Sequence, residues 1–139
     1  MTIITKELHF KTKGVGDFLN ITDHIQKHFE SSKLSQGQVM VFVVGSTAAI
    51  VSFEYEPGLI QDLKALYEKI APSNATYAHD ETWGDANGFS HLRSALQGQS
   101  MNIPFADKKL LLGTWQQIVL AEFDHRPRER TVVVQFLGE

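Results

Sequence analysis

The chain has no cysteine among its 139 residues. Disulfides, thiolate metal ligands and thiol nucleophiles are therefore excluded, and with them zinc ribbons and cysteine hydrolases. It also lacks an excess of positive charge, since 13 Lys and Arg stand against 16 Asp and Glu for a net −3. No global basic field is available to hold a nucleic-acid backbone or an anionic membrane, so any anion site must be local. Long apolar runs are missing: stretches such as Val39 to Val44 and Ile118 to Ala121 are far too short to cross a bilayer. Met1 to Gly14 alternates polar and apolar residues and carries Glu7 among its lysines, unlike the basic start and long apolar run of a signal peptide. The expected location is the cytoplasm. No G-x-x-x-x-G-K phosphate loop occurs, and Ser46 has no His–acid companion in sequence that would make a serine hydrolase triad.

What is present is the composition of a folded protein, 42% hydrophobic and 21% charged, and the length fits a single domain over residues 1–139. Leu8 and Phe10 alternate with charged neighbours as in a half-buried strand, which Gly14-Val15-Gly16 ends. Asp17 opens a predicted helix whose apolar residues Phe18, Ile21, Ile25 and Phe29 fall three and four apart, running to about Ser31. On it His24 and His28 lie one turn apart and read as solvated side chains. Gln38 to Phe53 reads as two strands, or one bent strand, interrupted at Gly45-Ser46, with apolar residues on both faces. Glu56-Pro57-Gly58 starts a second helix with a broad apolar stripe from Leu59 to Ile70, stopped by Pro72. Ser73 to Ser90 has no periodicity and reads as a long loop; His91 to Leu96 then forms a short helical turn. Strands are predicted at Ser100 to Phe105, Leu110 to Phe123 and Arg130 to Leu137. Runs of strands joined by tight turns predict an α+β fold, mainly antiparallel and sandwich-like, with two or three short helices.

Three segments carry chemistry. The loop from Tyr77 to His91 holds two imidazoles, His79 and His91, with Asp80, Glu81, Asp85 and Asn87. Imidazole and carboxylate groups suit a divalent ion with an open position for water or substrate, with His79 and His91 as first ligands and Asp85 next. The same acids and amide also serve as turn-formers through side-chain to backbone bonds. Arg126, Arg128 and Arg130 alternate; in an extended segment their guanidinium groups would share one side and hold phosphate oxygens. The competing reading is a charged hairpin whose arginines pair with Glu122, Asp124 and Glu129. Gly113-Thr114-Trp115-Gln116-Gln117 interrupts an apolar strand, where a glycine marks a bulge or the close approach of a ligand or another backbone.

Together the segments Gly45-Ser46-Thr47-Ala48-Ala49, Glu54 to Gly58, His79 to Asp85, Ser90-His91-Leu92-Arg93, Leu112 to Gln117 and the closing Leu137-Gly138-Glu139 resemble the YjbQ family over essentially the whole chain. That resemblance implies a small single-domain protein that forms homotrimers, carries a divalent metal and has a secondary thiamine-phosphate synthase activity. It implies His79, His91 and Asp85 as metal ligands, with zinc first and magnesium or manganese as alternatives. Arg126, Arg128 and Arg130 would then hold phosphate, and Asp85, Trp115 and Gln116 would serve the reaction. The expected partners are a phosphorylated small molecule and further copies of the chain, with no nucleic acid and no membrane. The expected chemistry is pyrophosphate displacement joining pyrimidine and thiazole phosphates, or metal-dependent hydrolysis of a phosphate ester. Two positions depart from the pattern: Gly45-Ser46-Thr47 stands where many relatives have His-Thr-Thr, and Phe89 where close relatives often have His. Each loses a potential imidazole ligand, which raises the alternative of a non-catalytic trimer binding a metabolite or a protein through a degenerate metal site.

Overall fold

A computed structural model describes residues 1–139. Strand β1 (Thr2–Lys11) is followed by β2 (Phe18–Asn20) and helix α1 (Thr22–Ser32). Next come β3 (Gly37–Val44), β4 (Ala48–Phe53) and helix α2 (Pro57–Ile70). Helices α3 (Ala78–Trp83) and α4 (Gly88–Gln97) precede β5 (Ser100–Ala106), β6 (Lys109–Leu110), β7 (Gln117–Glu122) and β8 (Glu129–Gly138). The strands form two antiparallel sheets, one in the order β1-β8-β3-β5-β6 and the other β2-β7-β4. The fold is thus α+β and antiparallel, as expected, with four helices rather than two or three. No helix is long and apolar enough to cross a membrane.

The larger sheet packs its inner row against the smaller one. Val39, Val41 and Val43 of β3 and Val132, Val134 and Phe136 of β8 meet Ile50, Ile118 and Leu120; Ile21, just before α1, and Ile25 and Phe29 of α1 add to this layer. The opposite face of the smaller sheet is covered by α2, where Tyr67 packs with Phe18, Ala49, Val119, Ala121 and Phe123. Strand β7 is therefore covered on both sides, which is why Ile118 to Ala121 has no polar alternation. The outer face of the larger sheet has no such cover. Ile3 lies opposite Leu137 there, and Val133 opposite Phe42.

Three local readings change. Phe18 and Ile21 share helical spacing, yet Phe18 belongs to strand β2 paired with Ala121, and the helix begins only at Thr22. Asn20 marks the change, because its Oδ1 accepts from both the Thr22 N–H and hydroxyl. The stretch from Ser73 to Ser90 is not a continuous loop, since it contains α3 and the start of α4. The predicted strand from Leu110 to Phe123 divides into β6, a turn and β7. In that turn the Gly113 N–H donates to Gln116 Oε1 and the Gln116 N–H to Gly113 O. Helix α2 starts where Glu56 accepts from the Gly58 and Leu59 N–H groups, bonds that hold its carboxyl below the usual range.

Candidate functional site

Helices α3 and α4 are joined by a single carboxylate. Asp80 accepts from the Tyr77 N–H through Oδ2 and from the Gly88 N–H through Oδ1, so one side chain ties the start of α3 to the start of α4. The approach requires glycine at 88: a Cβ there would stand 2.7 Å from the Tyr77 Cβ and 3.0 Å from Asp80 Oδ1. Gly84, in the left-handed region at φ 70°, ends α3 and turns the chain back.

This clamp brings His79 and His91 together with ring centroids 4.4 Å apart, tilted by 55°. Asp85 Oδ1 lies 3.8 Å from His79 Nε2. Asn87 is buried between them, and in the orientation its neighbours require, its amide nitrogen donates to Asp85 Oδ1 at 3.0 Å and to His79 Nε2 at 3.1 Å. His79 and Asp85 are only partly covered and thus reachable from solvent. One turn into α4, the Ser90 hydroxyl is enclosed without a partner. Phe89 is buried under Arg93, whose guanidinium carbon lies 4.9 Å from the ring centre.

The arginine segment is arranged differently from an extended row of free forks. Arg130 continues the inward row of β8 below Val132, and Glu122 ends the inward row of β7, so the two meet at the closed end of the sandwich. Arg130 donates through Nε to Glu122 Oε2 at 2.8 Å and through Nη2 to Glu122 Oε1 at 2.5 Å, and it also donates to the Thr47 hydroxyl. Thr12 adds a bond to Glu122. Arg128 donates to Asp124 Oδ2 through Nε at 2.8 Å, and its Nη2 lies at the same distance. The Asp124 carboxyl is buried, which alone would raise its pKa. The Arg128 side chain, the Arg126 N–H and the Thr47 hydroxyl outweigh that and hold it below the usual range. Arg126 alone of the three has an exposed side chain without a carboxylate partner.

Of the residues singled out by sequence, His79, His91 and Asp85 are brought together. Trp115 projects into solvent at 71% exposure, and Gln116 is bonded to Gly113 and Ser52. No hydrogen bond or ion pair of Trp115, Gln116 or the three arginines reaches the imidazole pair. Asn87 is the contributor that spacing undervalued, read there only as a turn-former. No group of three or more His, Asp or Glu side chains is arranged so that it could hold a metal ion.

The family profile described as "UPF0047 protein YjbQ-like" matches residues 6–139. The chain belongs to this family. A UPF0047 protein of Archaeoglobus fulgidus is 39% identical over 131 residues, covering 94% of this chain and 99% of the relative. One from Methanothermobacter thermautotrophicus is 36% identical over 139 residues, covering 100% and 95%. Among solved structures, a YbjQ-like protein of unknown function from Sulfolobus solfataricus superimposes with a TM-score of 0.93 at 30% identity, covering 99% of both chains. A hypothetical protein from Aeropyrum pernix gives 0.90 at 31% identity, covering 98% of this chain and 99% of that one. UPF0047 membership confirms the resemblance, but it overturns the activity drawn from it. These relatives are described without a thiamine-phosphate synthase activity, and the His79, His91 and Asp85 cluster does not form a metal-holding group, so neither the zinc-dependent synthase nor metal binding is supported.

Proposed function

We propose that the imidazole pair binds a phosphorylated small molecule and exchanges a proton with it. The observation that carries this is the contact of the His79 and His91 rings at 4.4 Å beside the buried Asn87 amide, which lies 3.1 Å from His79 Nε2. Imidazole both gives and takes a proton near neutral pH, and two adjacent rings present two such positions to one ligand. Asn87 holds Asp85 and His79, so the acid and the ring are ordered before a ligand arrives. A phosphorylated ligand suits the cytoplasm.

Titration of the protein with inorganic pyrophosphate, followed by the carbon-bound ring protons of all six histidines, tests this reading. The His79 and His91 signals are expected to move saturably while those of His24 and His28 on α1 stay in place. His79→Ala is expected to weaken binding about tenfold or more, the loss of a hydrogen bond to a charged group. Equal movement of all the histidines, or unchanged affinity in the variant, would refute it.

The uncovered face of the larger sheet supports a second reading, that the chain associates with two further copies. Ile3 is 64%, Phe42 39% and Val44 52% exposed on a sheet face that also carries Met40, Val133 and Leu137. Light scattering is expected to give three times the 15.6 kDa chain mass, and Phe42→Asp to give the single-chain mass. A monomeric parent would overturn this.

A further inference from the structure

A second cleft lies away from the imidazole pair, between α2, the turn before β2 and the end of β7. It has a volume of about 170 Å³ and is walled by Phe18, Tyr67 and Phe123, with Lys64, Glu68 and Arg93 contributing charge. That volume equals about six water molecules in the liquid, enough for one planar ring acid.

Two cations, Lys64 and Arg93, line this cleft. The Arg93 side chain is 3% exposed and reaches it from α4 across the end of α2. Its Nε and Nη2 donate to Ala71 O, and Nη2 also donates to Glu68 Oε1 at 2.8 Å. Nη1 takes part in none of these bonds. It is not sealed in either, because Ser90 Oγ is the one enclosed side-chain polar atom without a partner. Lys64 forms no ion pair with any group of the chain. Its stem lies over Gly16, where a Cβ would meet Lys64 Cε at 2.9 Å and Nζ at 3.5 Å, which places the ammonium beside the cleft. Glu68 is the single carboxylate in the lining, and Arg93 already engages it. Burial pushes the Tyr67 phenol up to about 12 against the pull of Arg93, so it stays neutral and donates to Gln97 Oε1.

We propose that this cleft binds a small organic carboxylate with a flat apolar body, its carboxylate between Lys64 Nζ and Arg93 Nη1 and its ring against Phe18, Tyr67 and Phe123. The chemistry follows from the lining. An inorganic anion would leave the aromatic walls unused, and a neutral ring would leave the Lys64 ammonium without counter-charge. Phe18, Phe123 and Tyr67 already meet edge to face, with Tyr67 and Phe123 centres 4.8 Å apart, so the walls stand in place without a ligand.

Benzoate and its neutral isostere benzamide are the probes, with binding read from ring-proton shifts of Phe18, Tyr67 and Phe123. Benzoate is expected to bind saturably with a Kd of about 1 mM or tighter, and benzamide at least about tenfold more weakly. Lys64→Met is expected to weaken benzoate about fivefold, and Lys64→Arg to restore most of it. Lys64 is exposed and bonded to nothing, so both variants fold. Equal binding of the two probes, absence of benzoate binding, insensitivity to Lys64→Met, or benzoate shifts confined to His79 and His91 would each overturn the assignment.

Discussion

Replacing Glu122 with Gln is expected to destabilise the protein by about 3–5 kcal/mol, the cost of leaving a buried guanidinium without its counter-charge. The substitution preserves shape, so the loss reports charge. Glu122 is fully buried and Arg130 is 7% exposed, and every side-chain hydrogen bond that Arg130 makes goes to Glu122 or Thr47. Glutamine keeps one acceptor oxygen but sets an amide NH2 against the guanidinium at a position that is fully buried. Thermal melting should fall by about 10–15 °C. The double variant Glu122→Leu, Arg130→Met is expected to recover a large part of the loss, since removing both charges also removes the cost of burying them. Urea unfolding of the parent and both variants measures this. A cost below about 1 kcal/mol for Glu122→Gln would show that the pair is hydrated.

The second large effect depends on pH. Burial raises the cost of ionising Asp124, but Arg128, the Arg126 N–H and Thr47 lower it by more, and the folded carboxyl sits below the usual range. The unfolded chain therefore takes up this proton first on acidification. The stability that Asp124 contributes is complete above the unfolded value near about 4 and is lost as pH falls through the lower folded value. Asp124→Asn is expected to cost about 2 kcal/mol at pH 7, the scale of hydrogen bonds to a charged group. The gap between parent and variant should narrow progressively in acid. Unfolding free energies measured from neutral pH down to about pH 3 give the test. A gap that is constant across that range would assign the cost to packing alone.

These two acids illustrate how far the sequence can be read. Asp124, Glu122 and the arginines are visible as charges in a hairpin, and pairing among them was one of the two readings available. Which carboxylate meets which guanidinium is decided by the alignment of β7 against the inner row of β8, and no local spacing contains that. Strand β7 was legible because four successive apolar residues demand cover on both sides. Strand β2 was not: Phe18 packs toward α2 while Ile21 packs between the sheets, and their separation happens to match a helical period. Helix α3 has no sequence signal for a different reason. None of its six residues is buried, so it shows no apolar stripe, and it is held by the Asp80 carboxylate rather than by packing. The imidazole pair could be anticipated as two rings in one polar segment, but the amide that orders them reads in sequence as an ordinary turn residue.

Because the Gly88 backbone rests against Tyr77, the gap between the two imidazoles is a property of the main chain rather than of the imidazoles. Exchanging either ring would alter what the pair offers a ligand without altering the width of the opening. A single methyl added at 88 would do the reverse, forcing the helices apart and leaving both rings intact with too much distance between them to act on the same atom.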